Sequence, residues 1–443
     1  MFELSPEAVT ILMFGGLIAG LLMGHSLAFV LGGLAVIFGY LGWGPGCFYM
    51  FTGRIYDIMD NYILIAIPLF ILMARFLDGS GVAEKLFDAM RYLFGPIRGG
   101  IALAVIVVST LFGACTGIIG ASVVTMGLLA LPLMLKYGYD KRLSCGCITA
   151  GGTLGILIPP SIMLIVMANQ ANLSVGKLFA GAIGPGLVLS GLYIGYILIK
   201  CGLNPKLGPP ISKEEREAVS NKDIASMVFR SMVPPLVLII GVLGSIFLGV
   251  ATPTEASGVG AMLAFFLVLA YRKIEWKSFL EVLKETAITT SMVLIVLVGA
   301  TCFTGVFLGL GGGDVVKDLI LSVGFGKWGT FIVMMIILFF LGMFIDWIGI
   351  VMIVFPIFLP IAEQLGFDKL WFVVIIAVML QDSFLTPPFG YALFYLKGVA
   401  PPEVKTKDIY WGSLPFWHLM EVGLLICVLF PKVITWLPSI LVD

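Results

Sequence analysis

The sequence predicts an all-α polytopic membrane protein made of two inverted structural repeats. Each repeat holds a re-entrant helical hairpin and a helix broken by a double proline. Three observations carry this reading. The 443 residues are 60% hydrophobic and 12% charged, with a mean hydropathy of +1.10. Pro159-Pro160 and Pro387-Pro388 each interrupt an apolar stretch, and the two pairs lie 228 positions apart (387 − 159). The same offset lays the other apolar segments over one another.

This composition excludes a soluble domain, and the long apolar runs are not the short alternating strands of a β-barrel. A net formal charge of zero argues against a nucleic-acid partner. Seven cysteines are scattered through apolar runs, and Cys145 and Cys147 flank one residue, so no disulfide or metal framework is implied. Glu3 and Glu7 precede the first apolar run without a basic residue, so a cleaved signal peptide is not expected.

Apolar runs of spanning or near-spanning length fall at about 8–22, 27–42, 62–77, 178–199, 233–250, 256–271, 287–309 and 411–430. Ser80–Phe94 differs. Val82, Leu86, Phe87, Met90 and Leu93 share one face and Glu84, Lys85, Asp88 and Arg91 the other, the pattern of a helix lying on the membrane surface. Trp276–Glu285 is expected to form a second surface helix. Two stretches read as hairpins whose arms are shorter than the roughly 20 residues of a span. The first covers about 101–135, with a small-residue tip at Gly113–Gly120; the second covers about 328–361, with its tip at Gly342–Gly349. Broken helices follow at about 143–172 and 370–397.

Shifting by 228 places Leu131-Pro132 on Leu359-Pro360 and Gly138-Tyr139-Asp140-Lys141 on Gly366-Phe367-Asp368-Lys369. The expected organisation is a first repeat at 1–200, a cytoplasmic linker at 201–231 and a second repeat at 232–443. Orientation follows from basic residues. Arg91, Arg98, Lys136, Lys141 and Arg142 flank the first hairpin and put its base in the cytoplasm. The linker, Arg272–Lys284 and Lys397–Lys407 are also basic; holding them inside makes the second hairpin enter from outside. Inverted repeats of this kind place a transport site near the midplane.

The chemistry centres on the breaks. Gly151–Ser161 cannot continue as a regular helix, because two prolines remove two backbone donors and glycines weaken the preceding turn. Unwound backbone in a bilayer survives where it lines a cavity or binds something. Carbonyls freed there, with a hydroxyl such as Thr116 in the tip Gly113–Gly117, suit sodium, and nearby helix N-termini attract a carboxylate. Helix packing is the alternative role for the same small residues. In the second half, Asp346 and Asp382 are ionisable at membrane depth, as site supports or as caps of broken backbone. Glu255 is expected at an outer helix start. Gly311-Gly312-Gly313-Asp314, with Asp57 as partner, matches an intramembrane aspartyl protease pattern, but Lys317 and Asp318 beside it read as a solvated loop. His25 and His418 are isolated, and no phosphate-binding loop occurs.

Phe112–Gly117, Gly151–Ser161, Ala251–Ala256 and Leu385–Gly390, in this order and spacing, resemble motifs of the large membrane subunit of tripartite ATP-independent periplasmic (TRAP) transporters. The resemblance covers nearly the whole chain. It implies a non-enzymatic, elevator-type, sodium-driven importer of an organic acid such as a dicarboxylate, keto acid or sialic acid. It also implies a bacterial inner-membrane location, a small membrane subunit on a separate chain and a periplasmic substrate-binding protein. The resemblance puts sodium ligands at Thr116, Gly155, Ile158 and Pro160, and the repeat extends them to Asp346, Ser383, Thr386 and Pro388. Substrate contacts are implied at Thr116, Gly117, Ser161 and Gly349. Many members carry a tip Ser-Gly-Ser-Gly-Pro-Ala-Thr; here Thr116–Ser122 reads Thr-Gly-Ile-Ile-Gly-Ala-Ser, with fewer hydroxyls. The alternatives are a stand-alone sodium/carboxylate symporter or ion exchanger of related architecture, and, from another class, the protease.

Overall fold

The computed structural model describes residues 5–271, 276–322, 324, 326–388 and 390–442. Glu3, Arg272, Lys273 and Phe389, used above, lie outside them. Ser5 caps α1 (Pro6–Leu22) by accepting from the Ala8 amide, with Pro6 in the first turn. α2 (Leu27–Trp43) follows, then α3 (Cys47–Met59), which no spanning apolar run announced. α4 (Ala66–Ser80) ends at Gly81, whose φ of +73° turns the chain into α5 (Val82–Phe94). α5 buries Val82, Leu86, Phe87 and Met90 and exposes Glu84, Lys85 and Asp88 as its pattern predicts, but Leu93, placed on the same apolar face, is exposed in the last turn.

The first hairpin is α6 (Gly100–Thr116) and α7 (Ile119–Lys136). Its tip is only Gly117 and Ile118, far shorter than the Gly113–Gly120 expected, because Gly113–Thr116 stay helical against a neighbouring helix described below. α8 (Lys141–Leu157) and α9 (Ile162–Ala171) form the first broken helix, bent by 42° across the double proline. α10 (Val175–Leu203) leads to a connection that holds a 3-10 turn at Pro205–Leu207 and the short helix α11 (Lys213–Glu217). This connection clasps the hairpin base. Gly99 N–H donates to Gly208 O (2.8 Å), Asp140 N–H to Leu207 O (3.0 Å) and the Tyr137 hydroxyl to Glu215.

In the second half come α12 (Asn221–Phe247) and α13 (Pro253–Ala270). Thr252 and Glu255 close a reciprocal capping box at the start of α13, which places Glu255 at a helix start as expected. α14 (Trp276–Gly309) is one unbroken helix of 34 residues. Trp276–Glu285 is therefore not a separate surface helix: no breaker follows Glu285, and the backbone continues into the span. α15 (Gly312–Ser322) begins at the glycines read as a loop, with Asp314 in its first turn. The second hairpin is α16 (Gly326–Gly342) and α17 (Trp347–Gln364), the second broken helix α18 (Lys369–Ser383) and α19 (Tyr391–Val399), followed by α20 (Thr406–Leu429).

Nine helical segments among the described residues are long and apolar enough to cross a membrane, or up to ten if the bent pair counts as one span. The bounds of α17 are those of α7 plus 228, and α8 and α18 start the same distance apart. Contacts between elements are exchanged in part the same way. α4 packs on α13 as α14 packs on α2, whereas α20 packs extensively on α8 and its counterpart α10 touches α18 only over a short stretch.

Candidate transport site

Glycine brings the first hairpin onto the first break. Gly113 of α6 and Gly155 of α8 meet backbone to backbone: a Cβ on either would stand 2.6 or 2.7 Å from the other's Cα. Gly117 ends α6 with φ +61°, and a Cβ there would lie 3.1 Å from Pro160 O. Thr116 is buried, its hydroxyl at the 3.5 Å limit from both Gly113 O and Ser122 Oγ. Ser161 is the N-cap of α9; its hydroxyl accepts from the Leu164 amide (3.4 Å) and donates to Ile156 O. Ile158 has left the helix for extended backbone, and its side chain fills the space over Gly186. Thr116, Gly117, Gly155, Pro160 and Ser161 are thus one neighbourhood.

The second half is built differently. Asp346 caps α17, accepting from the Ile348 amide at 3.3 Å. Ser383 is buried with its Oγ seated on Gly342, where a Cβ would stand only 1.8 Å away. Gln381 Oε1, Asp382 Oδ1 and Ser383 Oγ, on three consecutive buried residues, have no hydrogen-bond partner among the described residues. Thr386 donates to Asp382 O at 3.0 Å. Pro387 and Pro388 are exposed, and Thr386 and Pro387 line a separate hollow with Phe339, Tyr410 and Trp417. Gly349 lies in α17, where a Cβ would meet Leu27 of α2 at 3.1 Å.

A cavity of about 310 Å³ joins these parts. The first tip gives Gly117–Gly120, the second Asp346–Ile348, and the breaks give Ile156, Ile162, Phe384 and Tyr391. The opposite wall is Leu27 of α2, Ile71 of α4 and Thr289, Met292, Val293 and Val296 of α14. Both hairpin tips and residues flanking both breaks thus line one chamber with α2, α4 and α14; of the residues expected to bind sodium or substrate, Gly117 and Asp346 line it, while Thr116, Gly155, Ile158, Pro160, Ser161, Gly349, Ser383, Thr386 and Pro388 do not. Among the described residues no group of three or more His, Cys, Asp or Glu is placed to hold a metal ion.

The family model described as "Tripartite ATP-independent periplasmic transporter, DctM component" matches residues 14–433. The chain belongs to this family. It is a multi-pass inner-membrane permease component and not an enzyme. The C4-dicarboxylate TRAP transporter large permease protein DctM of Pseudomonas aeruginosa is 32% identical over 389 residues, 87% of this chain and 88% of that one. The sialic acid TRAP transporter large permease protein SiaM of Vibrio cholerae is 29% identical over 430 residues, 96% of each. The crystal structure of the Alcanivorax borkumensis YdaH transporter shares the fold, with a TM-score of 0.62 at 14% identity, covering 96% of this chain and 98% of that one.

Several residues of the permease's chamber were not expected from the sequence. Tyr391 and Tyr395 sit one turn apart just after the second break, a spacing that puts both on one helix face. Ile118 and Ile119 were visible only as missing hydroxyls. Ser26, Ile71, Thr289 and Met292 reach the chamber through packing between distant segments and carry no local signal.

Proposed function

We propose that this permease is the sodium-coupled, moving component of a tripartite importer of an organic acid anion. Its family works with a small membrane subunit and a periplasmic substrate-binding protein, and the binding protein would deliver cargo to this chain. The observation that carries the reading is the chamber lined by both tips, by residues flanking both breaks and by α2, α4 and α14. In an elevator cycle the hairpins and broken helices would slide as a unit against a scaffold of α2, α4, α12, α13 and α14. The 228-residue recurrence of helix bounds supports two repeats, and the charge bias supports their inversion.

Sodium, a hard monovalent cation, would bind among the oxygen atoms of the two breaks; hydroxyls that already donate, as Thr386 does to Asp382 O, keep lone pairs for it. At the first break these are the Thr116 hydroxyl and the backbone of Gly155, Ile158 and Pro160. At the second they are Ser383, Thr386 and the backbone of Pro388, with Asp346 nearby. Ser383 Oγ, buried and unpartnered, fits that role. Bound sodium would add positive charge beside the chamber and so link anion affinity to the gradient.

The test is uptake by proteoliposomes holding this chain, its small subunit and the loaded binding protein. Uptake should require all three components and an inward sodium gradient. Pro159→Ala with Pro160→Ala should raise the half-maximal sodium concentration roughly 5- to 150-fold, the equivalent of about 1–3 kcal/mol for a lost buried polar contact. Thr116→Ala should raise it less. High-rate uptake by this chain alone, or a folded proline variant with unchanged sodium dependence, would contradict the reading.

A further inference from the structure

We propose that the hollow between α5 and α12 binds the headgroup of an anionic phospholipid, an inference that goes beyond the import reading and needs neither the cargo nor sodium. The hollow has a volume of about 600 Å³. Lys85 and Asp88 of α5, Phe229, Arg230 and Val233 of α12, and Tyr271 at the end of α13 line it. Its level in the membrane follows from the sequence. Arg230 stands just before the apolar run that starts near 233, and Tyr271 closes the run that starts near 256. Two spans thus leave the hydrocarbon here, the level at which tyrosine and basic side chains meet headgroups.

The charge of the hollow is not discharged within the chain. Lys85 and Arg230 are the cations of its lining, and Asp88 is its one acid. Asp88 already pairs with Arg91 at 3.2 Å. Neither Lys85 nor Arg230 takes part in an ion pair among the described residues. Lys85 instead lies over the Tyr271 ring, its Nζ 3.7 Å from the centroid, which holds the ammonium beside the hollow. Both basic side chains keep donors for a phosphate, Arg230 as a planar fork and Lys85 as a point charge.

An apolar track leads away from the two cations. Phe229 is 71% exposed, and Val233, Val237 and Ile240 continue from it as exposed residues. Their helical spacing puts all four on one face of α12, so the row rises from the hollow into the hydrocarbon. Cations at the foot of an apolar row match an amphiphile, with its phosphate on Lys85 and Arg230 and an acyl chain along the row. The hollow also lies at a joint. α5 links α4 of the scaffold to α6 of the first hairpin, and Ser231 Oγ donates to Lys85 O at 3.2 Å where α12 meets α5. A headgroup held by Lys85 and Arg230 bridges the same two helices.

The experiment uses the complex of this chain with its small subunit in nanodiscs of phosphatidylcholine. A trace of phosphatidylglycerol with a photoactivatable acyl chain is added, and labelled peptides are mapped by mass spectrometry. Phosphatidylcholine with the same chain is the comparison. Labelling of residues 227–240 should be at least about tenfold stronger with phosphatidylglycerol, each cation counting for about fivefold. Lys85→Gln and Arg230→Gln should each lower that ratio about fivefold. Labelling by phosphatidylcholine should stay unchanged in both variants, which a misfolded sample would not reproduce. Equal labelling by the two lipids, or a ratio that neither substitution moves, would overturn the proposal. So would labelling of 227–240 in the isolated chain that the small subunit abolishes, because a protein partner would then hold this face.

Discussion

Gln381 donates its side-chain amide to the carbonyl of Thr153 at 3.1 Å, and the two residues stand 228 positions apart, equivalent places in the two broken helices. One hydrogen bond therefore ties the first break to the second across the core of the permease. Gln381→Leu removes the donor while keeping most of the volume. Its intrinsic cost should be about 0.5–1.5 kcal/mol, seen as a small fall in thermal transition temperature. The larger effect should be on sodium dependence of uptake, whose Hill coefficient should drop towards one. Unchanged cooperativity in a folded Gln381→Leu complex would mean the two breaks are not coupled through this contact.

Close backbone contact at Gly113 and Gly155 makes a second prediction. Alanine at either site adds a Cβ where the facing Cα lies 2.6 or 2.7 Å away. Backbone cannot yield as a flexible side chain does, so each substitution should cost about 1–3 kcal/mol. Gly15→Ala, in α1 with nothing within 4 Å of the added Cβ, is the matched control. It should be neutral or stabilising by up to about 1 kcal/mol, since alanine suits a helix interior better than glycine. Thermal denaturation of the three variants separates these outcomes; equal stability of all three would contradict the packing.

The breaks were legible in the sequence because proline acts locally: it removes a donor whatever surrounds it. The cap at Asp346 and the helix start at Glu255 could be read for the same reason. The extent of each tip could not. Glycine favours a turn in isolation, yet Gly113 and Gly342 lie in helices because a neighbouring helix approaches too closely for any side chain. The change from polar to apolar sequence near Glu285 was read as a boundary, although polarity alone breaks no backbone hydrogen bond, and α14 runs through it. The scaffold wall at Ser26, Ile71 and Thr289 depends on which distant helices meet.

Inversion of the repeats predicts a pattern of accessibility. All seven native cysteines are buried, so labelling with an impermeant thiol reagent has little background. Lys141→Cys and Asn221→Cys, both exposed at the clasped base of the first hairpin or beside the connection, should label from the cytoplasmic side. Gln364→Cys, exposed at the end of α17, should label from the periplasmic side. Labelling of positions 141 and 364 from the same side would contradict the inversion.

The central claim is that the hairpins travel against the scaffold, and one contact reports on it directly. Leu27 of α2 lies 3.1 Å from where a Cβ on Gly349 of α17 would stand, so cysteines at these two positions face each other across the proposed sliding surface. The measurement is sodium-driven uptake by the full three-component system carrying Leu27→Cys with Gly349→Cys, before and after a short, reducible thiol cross-linker, with each single variant as control. The account predicts at least a tenfold loss of uptake on cross-linking, recovered on reduction and absent from the single variants. Full uptake by a quantitatively cross-linked permease would contradict it.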